Sequence, residues 1–144
     1  MNLGFYVNST SPSDQNNEIY EMLNTAMENH ELVDASIFYN DVDYNPTTNL
    51  KFGLFNATEL WSFTGVLICD TLENTHKATN IINKFKTLYI YNKLEKNVLQ
   101  LLDISNRVKI LVRTKEDADE MYRITGKKPH LVNKLSLQSI TEVL

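Results

Sequence analysis

The fold of this 144-residue chain is decided by the stretch Thr64-Gly65-Val66-Leu67-Ile68-Cys69. The stretch is apolar rather than alternating, which is typical of a strand that is buried on both faces of a parallel sheet. Strand-like segments lie before and after it along the chain, and helix-like segments separate them. Strands that alternate with helices in this way predict right-handed crossovers and a mostly parallel sheet.

The remaining elements follow from apolar spacing and turn residues. The other inner strands are expected at Leu3–Val7, Thr87–Tyr91 and Val108–Val112, and shorter strands at Ala35–Tyr39, Leu50–Phe55 and Pro129–Val132. After a first helix that ends near Asn29-His30, helices are expected at Ala57–Phe63, Leu72–Phe85, Lys96–Leu102, Lys115–Thr125 and Lys134–Leu144. We therefore predict one Rossmann-like α/β domain over residues 1–144, with a mostly parallel sheet of five or six strands and helices on both faces.

Several helix ends carry recognisable capping residues. Ser11 is the expected N-cap of the first helix, because Pro12 suits the first helical position. Thr71 and Thr114 are expected to cap two later helices in the same way. Gly126 is placed to end the helix before it in a left-handed conformation.

Composition excludes several classes of protein. One cysteine allows no internal disulfide, and no Cys/His cluster has the spacing of a zinc site. The longest apolar runs are too short to span a bilayer, and no export signal precedes the first strand. We therefore expect a cytoplasmic protein that neither contacts a membrane nor shows a signal for nucleic-acid binding.

Charge is unevenly distributed along the chain. Residues 1–80 hold 11 acidic and 2 basic side chains, a net charge of −9, whereas residues 81–144 hold 7 acidic and 12 basic ones, a net charge of +5. Such asymmetry arises in proteins with a polyanion-binding face or with head-to-tail association. The favoured alternative is that the two halves interleave in one sheet and mix their charges in space.

Candidate binding residues are those that follow the strands, because ligands of open parallel sheets bind outside the carboxyl ends. The candidates are Asn8, Ser9, Thr10, Asp70, Thr71, Asn92, Lys93, Arg113, Thr114 and Asn133. Helix capping alone is the favoured explanation for the threonines 71 and 114. Lys93 and Arg113 would attract a phosphate or an acidic partner segment, unless Lys93 is merely solvated and Arg113 pairs with a carboxylate such as Asp70 or Glu116.

Cofactor, metal and catalytic sites are not expected. The turn after the first strand contains no glycine, which argues against NAD, FAD and P-loop nucleotides. A phosphate of flavin mononucleotide at this turn would be opposed by Asp14 and Glu18. The pair Asp41-Val42-Asp43 is interpreted as a solvated loop rather than as metal ligands, and Cys69 as a small buried side chain rather than as a nucleophile.

Three segments from about Leu60 onward resemble a known family. They are residues 63–70 (FTGVLICD), 86–92 (KTLYIYN) and 108–117 (VKILVRTKED). In rhythm they resemble the N-terminal Rossmann-like half of two-domain (GT-B) glycosyltransferases, as found in short, divergent proteins of large tailed phages. The chain departs from that family because it lacks the glycine-rich acceptor loop and the second domain that carries most of the nucleotide-sugar site.

The resemblance implies two functions that stay open. The favoured one is a non-catalytic, glycosyltransferase-like binding or structural module that acts by protein contact, such as a phage accessory or virion protein in the host cytoplasm. The other is a glycosyltransferase subunit with a nucleotide-sugar donor, whose cleft is completed by a partner chain or by a second copy of this one. Donor and acceptor must be positioned together for transfer, which one half does not do alone.

Overall fold

The computed structural model describes residues 1–42, 49–82 and 85–144, which form one parallel sheet. Its strands are β1 (Asn2–Ser9), β2 (Asp34–Asp41), β3 (Gly53–Asn56), β4 (Gly65–Cys69), β5 (Phe85–Ile90), β6 (Lys109–Val112) and β7 (His130–Leu131). The strand order is β3-β2-β1-β4-β5-β6-β7, and every pairing is parallel. The predicted α/β fold is confirmed, with seven strands instead of five or six because both short outer segments join the sheet as edges.

Helices cover both faces of this sheet, as predicted. They are α1 (Asp14–Glu28), α2 (Leu72–Thr79), α3 (Val98–Arg107), α4 (Lys115–Thr125) and α5 (Leu137–Val143), with a 3-10 helix at Ala57–Ser62. Residues of α1 and α5 pack in one apolar cluster, whereas α2, α3, α4 and the 3-10 helix pack in clusters on the other face. Because an all-parallel sheet is buried on both faces, each face must be covered by helices, as it is here.

Strand β4 shows why its sequence is apolar at successive positions. Val66 and Ile68 lie in the cluster with α1 and α5. Leu67 and Cys69 lie in the cluster on the opposite face. Both faces of β4 are thus buried, and Cys69 is a buried side chain as expected, with its thiol pKa raised by that burial.

Helix α4 begins and ends where the sequence predicts. The Thr114 hydroxyl accepts a hydrogen bond from the Asp117 N–H at 3.1 Å, so it caps the N-terminus. Gly126 follows the last turn with φ of 70°, the left-handed conformation that glycine adopts without steric penalty. Thr71 caps α2 in the same way, by accepting from the Asn74 N–H at 3.0 Å.

The start of α1 differs from the prediction. Its N-cap is Ser13 and not Ser11, since the Ser13 hydroxyl accepts from the N–H of Asn16. Ser11 lies in the preceding turn, where its hydroxyl is 2.8 Å from that of Ser9. The hydroxyl pair explains the shift, because it holds Ser11 outside the helix.

Three other helices also have ends that differ from the prediction. Helix α2 stops at Thr79, and Phe85 instead begins β5, where it pairs with Gly65. Helix α3 begins after the N-cap Asn97, and α5 begins after Ser136, whose hydroxyl and that of the third helical residue cap each other's backbone. In each case a cap or a strand pairing fixes the boundary, rather than apolar spacing.

The topology places the outer strands of the two charged halves on opposite sides of β4. Strands β1, β2 and β3 come from the acidic half and lie together on one side of β4. Strands β5, β6 and β7 come from the basic half and lie together on the other side. The two halves share one sheet, as expected, but their strands do not alternate within it; their charges meet through α1, where Glu18 pairs with Arg113.

Candidate functional site

The site lies where the strand order reverses. Strand β1 pairs with β4. From this pair, β2 and β3 are added on one side of the sheet, and β5, β6 and β7 on the other. The crossovers that follow β1 and β4 therefore leave a crevice between the carboxyl ends of these two strands. A cleft of about 630 Å³ opens there. This volume falls within the usual range of small-molecule sites, roughly 300–1,000 Å³.

Most of the candidate residues from the sequence line this cleft. They are Asn8, Ser9, Asp70, Thr71, Asn92, Lys93, Arg113 and Thr114. Thr10 does not, because it is fully buried, with its N–H donating to the carbonyl of Asp41. Asn133 lies outside the lining, although its carbonyl accepts a hydrogen bond from Arg113 at 3.4 Å.

Asn8 and Asp70 form one wall of the cleft, and a continuous chain of hydrogen bonds that joins β1, β2, β4 and α2 holds them in place. Tyr6 Oη donates to Asn40 Oδ1 at 2.7 Å, and Asn40 Nδ2 donates to Asn74 Oδ1 at 2.8 Å and to Asn8 Oδ1 at 3.1 Å. Asn74 Nδ2 then donates to Asp70 Oδ1 at 3.2 Å. The other carboxylate oxygen of Asp70 accepts from the Asn8 N–H at 3.4 Å. These bonds fix the wall before any ligand arrives.

Asp70 is the titratable group of this wall. Burial raises its pKa from 3.8 to about 6, although the hydrogen bonds from Asn8 and Asn74 oppose that shift. A carboxyl group with such a pKa exchanges its proton close to neutral pH. Groups of this kind, placed in a cleft, are candidates for functional roles.

We expect Asp70 to make the unfolding free energy depend on pH. The folded state binds the Asp70 proton more tightly than the unfolded chain, so its contribution to stability falls as pH rises through the window from 3.8 to about 6. In urea unfolding at several pH values, the difference between the wild type and Asp70→Asn should change by about 2 kcal/mol across this window, after allowance for partial exposure. Parallel curves for the two proteins would contradict the assignment.

The N-terminus of α2 is already occupied by a carboxylate of the chain itself. Both oxygens of Glu95 accept from the N–H of Leu72, at 3.0 and 3.1 Å, and Glu95 Oε1 also accepts from Tyr89 Oη at 3.0 Å. An anionic ligand at this helix end would have to displace Glu95. The positive ends of α1 and α4 are therefore better placed to act on a ligand in the cleft.

Arg113 has a different partner from those expected. Its Nη2 donates to Glu18 of α1, and the other oxygen of Glu18 accepts from the N–H of Leu135. Arg113 thus pairs with a carboxylate, which was one of the two alternatives, but that carboxylate is neither Asp70 nor Glu116. Strand β5 separates Asp70 from Arg113, and the guanidinium turns towards the α1 face of the sheet.

Sequence reasoning missed several residues of the cleft, among them Tyr91 and Asp117. Tyr91 directly follows β5 and belongs to the buried cluster with α3 and α4. The alternate positions of Tyr89 and Tyr91 in a strand are a signal that both face the same side, but nothing in the sequence shows that only the hydroxyl of Tyr89 has a partner among the described residues. Glu18 was counted as a charge that opposes anions, whereas it neutralises Arg113.

A second cavity lies at the opposite, amino-terminal edge of the sheet. It has a volume of about 620 Å³ and is lined by Phe85, Lys86, Arg107 and Lys109, among others. Its cations already have partners, since Lys109 Nζ donates to the carbonyl of Val143 at 2.7 Å and Arg107 pairs with Asp103. The carboxyl-edge cleft is therefore the stronger candidate.

No metal site is apparent in residues 1–42, 49–82 and 85–144, which contain no group of three His, Cys, Asp or Glu side chains placed to hold an ion. Of the pair Asp41 and Asp43, the second lies outside the described residues. Across the same ranges, no helix has the length and apolarity that crossing a membrane requires.

Comparison with known proteins gives the cleft no counterpart. No protein-family model matches the chain, and a search of curated proteins finds no match. The resemblance to a glycosyltransferase half stays a prediction from the sequence. What the cleft binds is therefore inferred from its own geometry and charge.

Proposed function

We propose that the protein is a binding module of the glycosyltransferase-like kind, and that its carboxyl-edge cleft holds a small polar ligand. The observation that carries this proposal is the preformed wall, in which Asp70 is held by Asn8 and Asn74 and the latter by Asn40. Side chains that are already fixed lose little conformational entropy when a ligand binds. In a tailed phage, such a module would serve as an accessory or virion protein in the host cytoplasm.

The lining supports a ligand that both donates and accepts hydrogen bonds. Hydroxyl and amide groups come from Ser9, Thr71 and Asn92, and charges of both signs come from Lys93 and Asp70. A nucleotide-sugar has this mixture of groups and is the first candidate. Its sugar hydroxyls match the carboxylate and amides, and its phosphates match the cation.

The test is a thermal-shift screen with UDP, UDP-sugars, sugar phosphates and FMN. A ligand that binds only the folded state raises the melting temperature, and the shift grows with the logarithm of its concentration once the concentration exceeds the dissociation constant. We expect at least one of these compounds to stabilise the wild type but not Asn92→Trp, a variant that fills the cleft from an exposed loop position. Asp119→Trp, at an exposed position of α4 outside the lining, is the matched control. Equal shifts for all three proteins would refute the proposal.

A second candidate function is a glycosyltransferase subunit whose cleft is completed by another chain. Two observations favour it: the pKa of Asp70 lies at about 6, which suits a general base, and two leucines that follow the cleft residue Lys93 in the chain are exposed. Leu94 is 84% and Leu99 78% exposed, as apolar side chains at an interface with a partner would be. The partner would cover these leucines and close the cleft.

Transfer from a UDP-sugar separates the two candidates. With an acceptor present whose hydroxyl gives its proton to Asp70 and receives the glycosyl group, a subunit enzyme should release UDP only after its partner is added. Asp70→Asn should abolish this release without abolishing UDP-sugar binding. A binding module should bind without release under every condition. Equal release by the wild type and Asp70→Asn would rule out Asp70 as the base.

A further inference from the structure

Two buried side-chain atoms lack a hydrogen-bond partner among the described residues, and both belong to residues of the same cleft. They are Tyr91 Oη and Arg113 Nη1. Both atoms are hydrogen-bond donors. Buried polar atoms almost always have partners, so two unmatched donors at one site call for an acceptor that the chain itself does not supply.

The neighbouring Tyr89 shows how this chain satisfies a buried tyrosine when it can. Tyr89 is fully buried and its hydroxyl donates to Glu95 at 3.0 Å. Tyr91 lies two residues later in the same cluster and is only 4% exposed, yet its hydroxyl has no such partner. Burial and the carboxylates of Asp117 and Glu120 raise its pKa, so the hydroxyl keeps its proton and remains a donor.

Arg113 is held with one nitrogen left for a ligand. Its Nη2 is occupied by Glu18 and by the carbonyl of Asn133, which fixes the plane of the guanidinium. Its Nη1 is buried without a hydrogen-bond partner among the described residues, and Arg113 is one of the residues that line the cleft. Tyr91 directly follows β5 and Arg113 directly follows the adjacent strand β6, so both residues lie at the same end of the cleft. Glu18 of α1 holds Arg113, and Tyr91 packs with α3 and α4.

We propose that this end of the cleft is an oxyanion subsite, in which Tyr91 Oη and Arg113 Nη1 donate to the phosphate group of a small ligand. The proposal rests on the proposed binding function and names the group that the cleft selects. A phosphate suits donors from two separate residues because its terminal oxygens are tetrahedral, whereas the two oxygens of a carboxylate lie in one plane. The N-terminus of α4, capped by Thr114 at the cleft, adds a favourable partial charge.

The side chains around the subsite carry charges of both signs, and the carboxylates of Asp70, Asp117 and Glu120 oppose the cation of Lys93. Lys93 is exposed and has no ion pair among the described residues, while Asp117 places a carboxylate in the lining. Hydrogen bonds, more than net charge, would therefore select the ligand. Removal of the opposing carboxylate in Asp117→Asn should tighten phosphate binding by about threefold.

The test is calorimetric titration of the full chain with glucose 6-phosphate, inorganic phosphate and glucose. We expect the sugar phosphate to bind more tightly than either part, and Tyr91→Phe to weaken it by about tenfold without lowering the melting temperature of the free protein. Tyr89→Phe is the matched control: it removes a partnered hydroxyl, so it should lower the melting temperature and leave the affinity unchanged. Arg113→Lys, which keeps the charge but loses Nη1, should weaken binding as Tyr91→Phe does.

Two outcomes would overturn the subsite. If Tyr91→Phe binds the sugar phosphate as tightly as the wild type while Asn92→Trp does not bind it, the cleft is a binding site but the phosphate subsite is wrong. If glucose binds the wild type as tightly as glucose 6-phosphate, the cleft selects hydroxyl groups and the phosphate plays no part. The absence of binding by every compound of the thermal-shift screen would refute the proposed function itself.

Discussion

Replacement of Gly65 by alanine is expected to lower the free energy of unfolding by about 4 kcal/mol. Gly65 begins β4 with φ of +129°, a conformation that only glycine adopts readily. A Cβ atom there would lie 2.4 Å from the backbone carbonyl oxygen of Asn2. The neighbouring atom is backbone of the paired strand β1, so relief of the contact requires the two central strands to separate.

Urea unfolding measures this loss, and Gly126→Ala is its matched control. Gly126 also has a positive φ, of +70°, but no atom of the described residues lies within 4 Å of the position that its Cβ would take. Its replacement should therefore cost about 1 kcal/mol, the conformational penalty alone. Similar losses for the two variants would show that the contact between β1 and β4 at Gly65 is not tight.

Replacement of Glu18 by alanine is expected to destabilise the protein by about 3 kcal/mol. Glu18 joins α1 to two distant segments, because its carboxylate accepts from Arg113 and from the N–H of Leu135. The side chains of Glu18 and Arg113 are only 21% and 23% exposed. Removal of the carboxylate leaves a largely buried cation and a backbone donor without their acceptor.

Glu21→Ala is the control for Glu18, since Glu21 is an exposed carboxylate on the same helix. Its replacement should change the unfolding free energy by no more than about 0.5 kcal/mol. A double-mutant cycle with Arg113→Met isolates the ion pair, and we expect the two losses to be clearly non-additive. Additive losses would mean that Glu18 stabilises the fold through Leu135 alone.

The sequence predicted elements whose ends are marked by local signals. Helix α4 is correct to the residue because Thr114 and Gly126 are unambiguous caps, and β4 is correct because a buried strand needs apolar side chains on both faces. The start of α1 was missed because Ser11 and Ser13 are equally good caps. Only the contact between Ser9 and Ser11, formed in the folded chain, decides between them.

Of the candidate site, the sequence likewise predicted the residues that local rules place and missed those that depend on contacts in the folded chain. The rule that ligands bind beyond strand ends located Asn8, Asp70 and Lys93 at the cleft, because it depends only on which strands are parallel. It did not find Tyr91, whose buried hydroxyl has no hydrogen-bond partner among the described residues. Nor did it pair Glu18 with Arg113, since residues this far apart meet only through the packing of α1 against the sheet.

The pairing of β1 with β4 has a consequence for how the chain is made. Leu3 lies opposite Val66, so the neighbour of β1 on that side does not exist until most of the first half has left the ribosome. During that interval β1 can pair with β2 while its other edge stays open, and an open edge of this kind is a template for aggregation. Parallel partners so distant in sequence also close slowly. Chaperone demand during synthesis should therefore be greatest before residue 69 emerges.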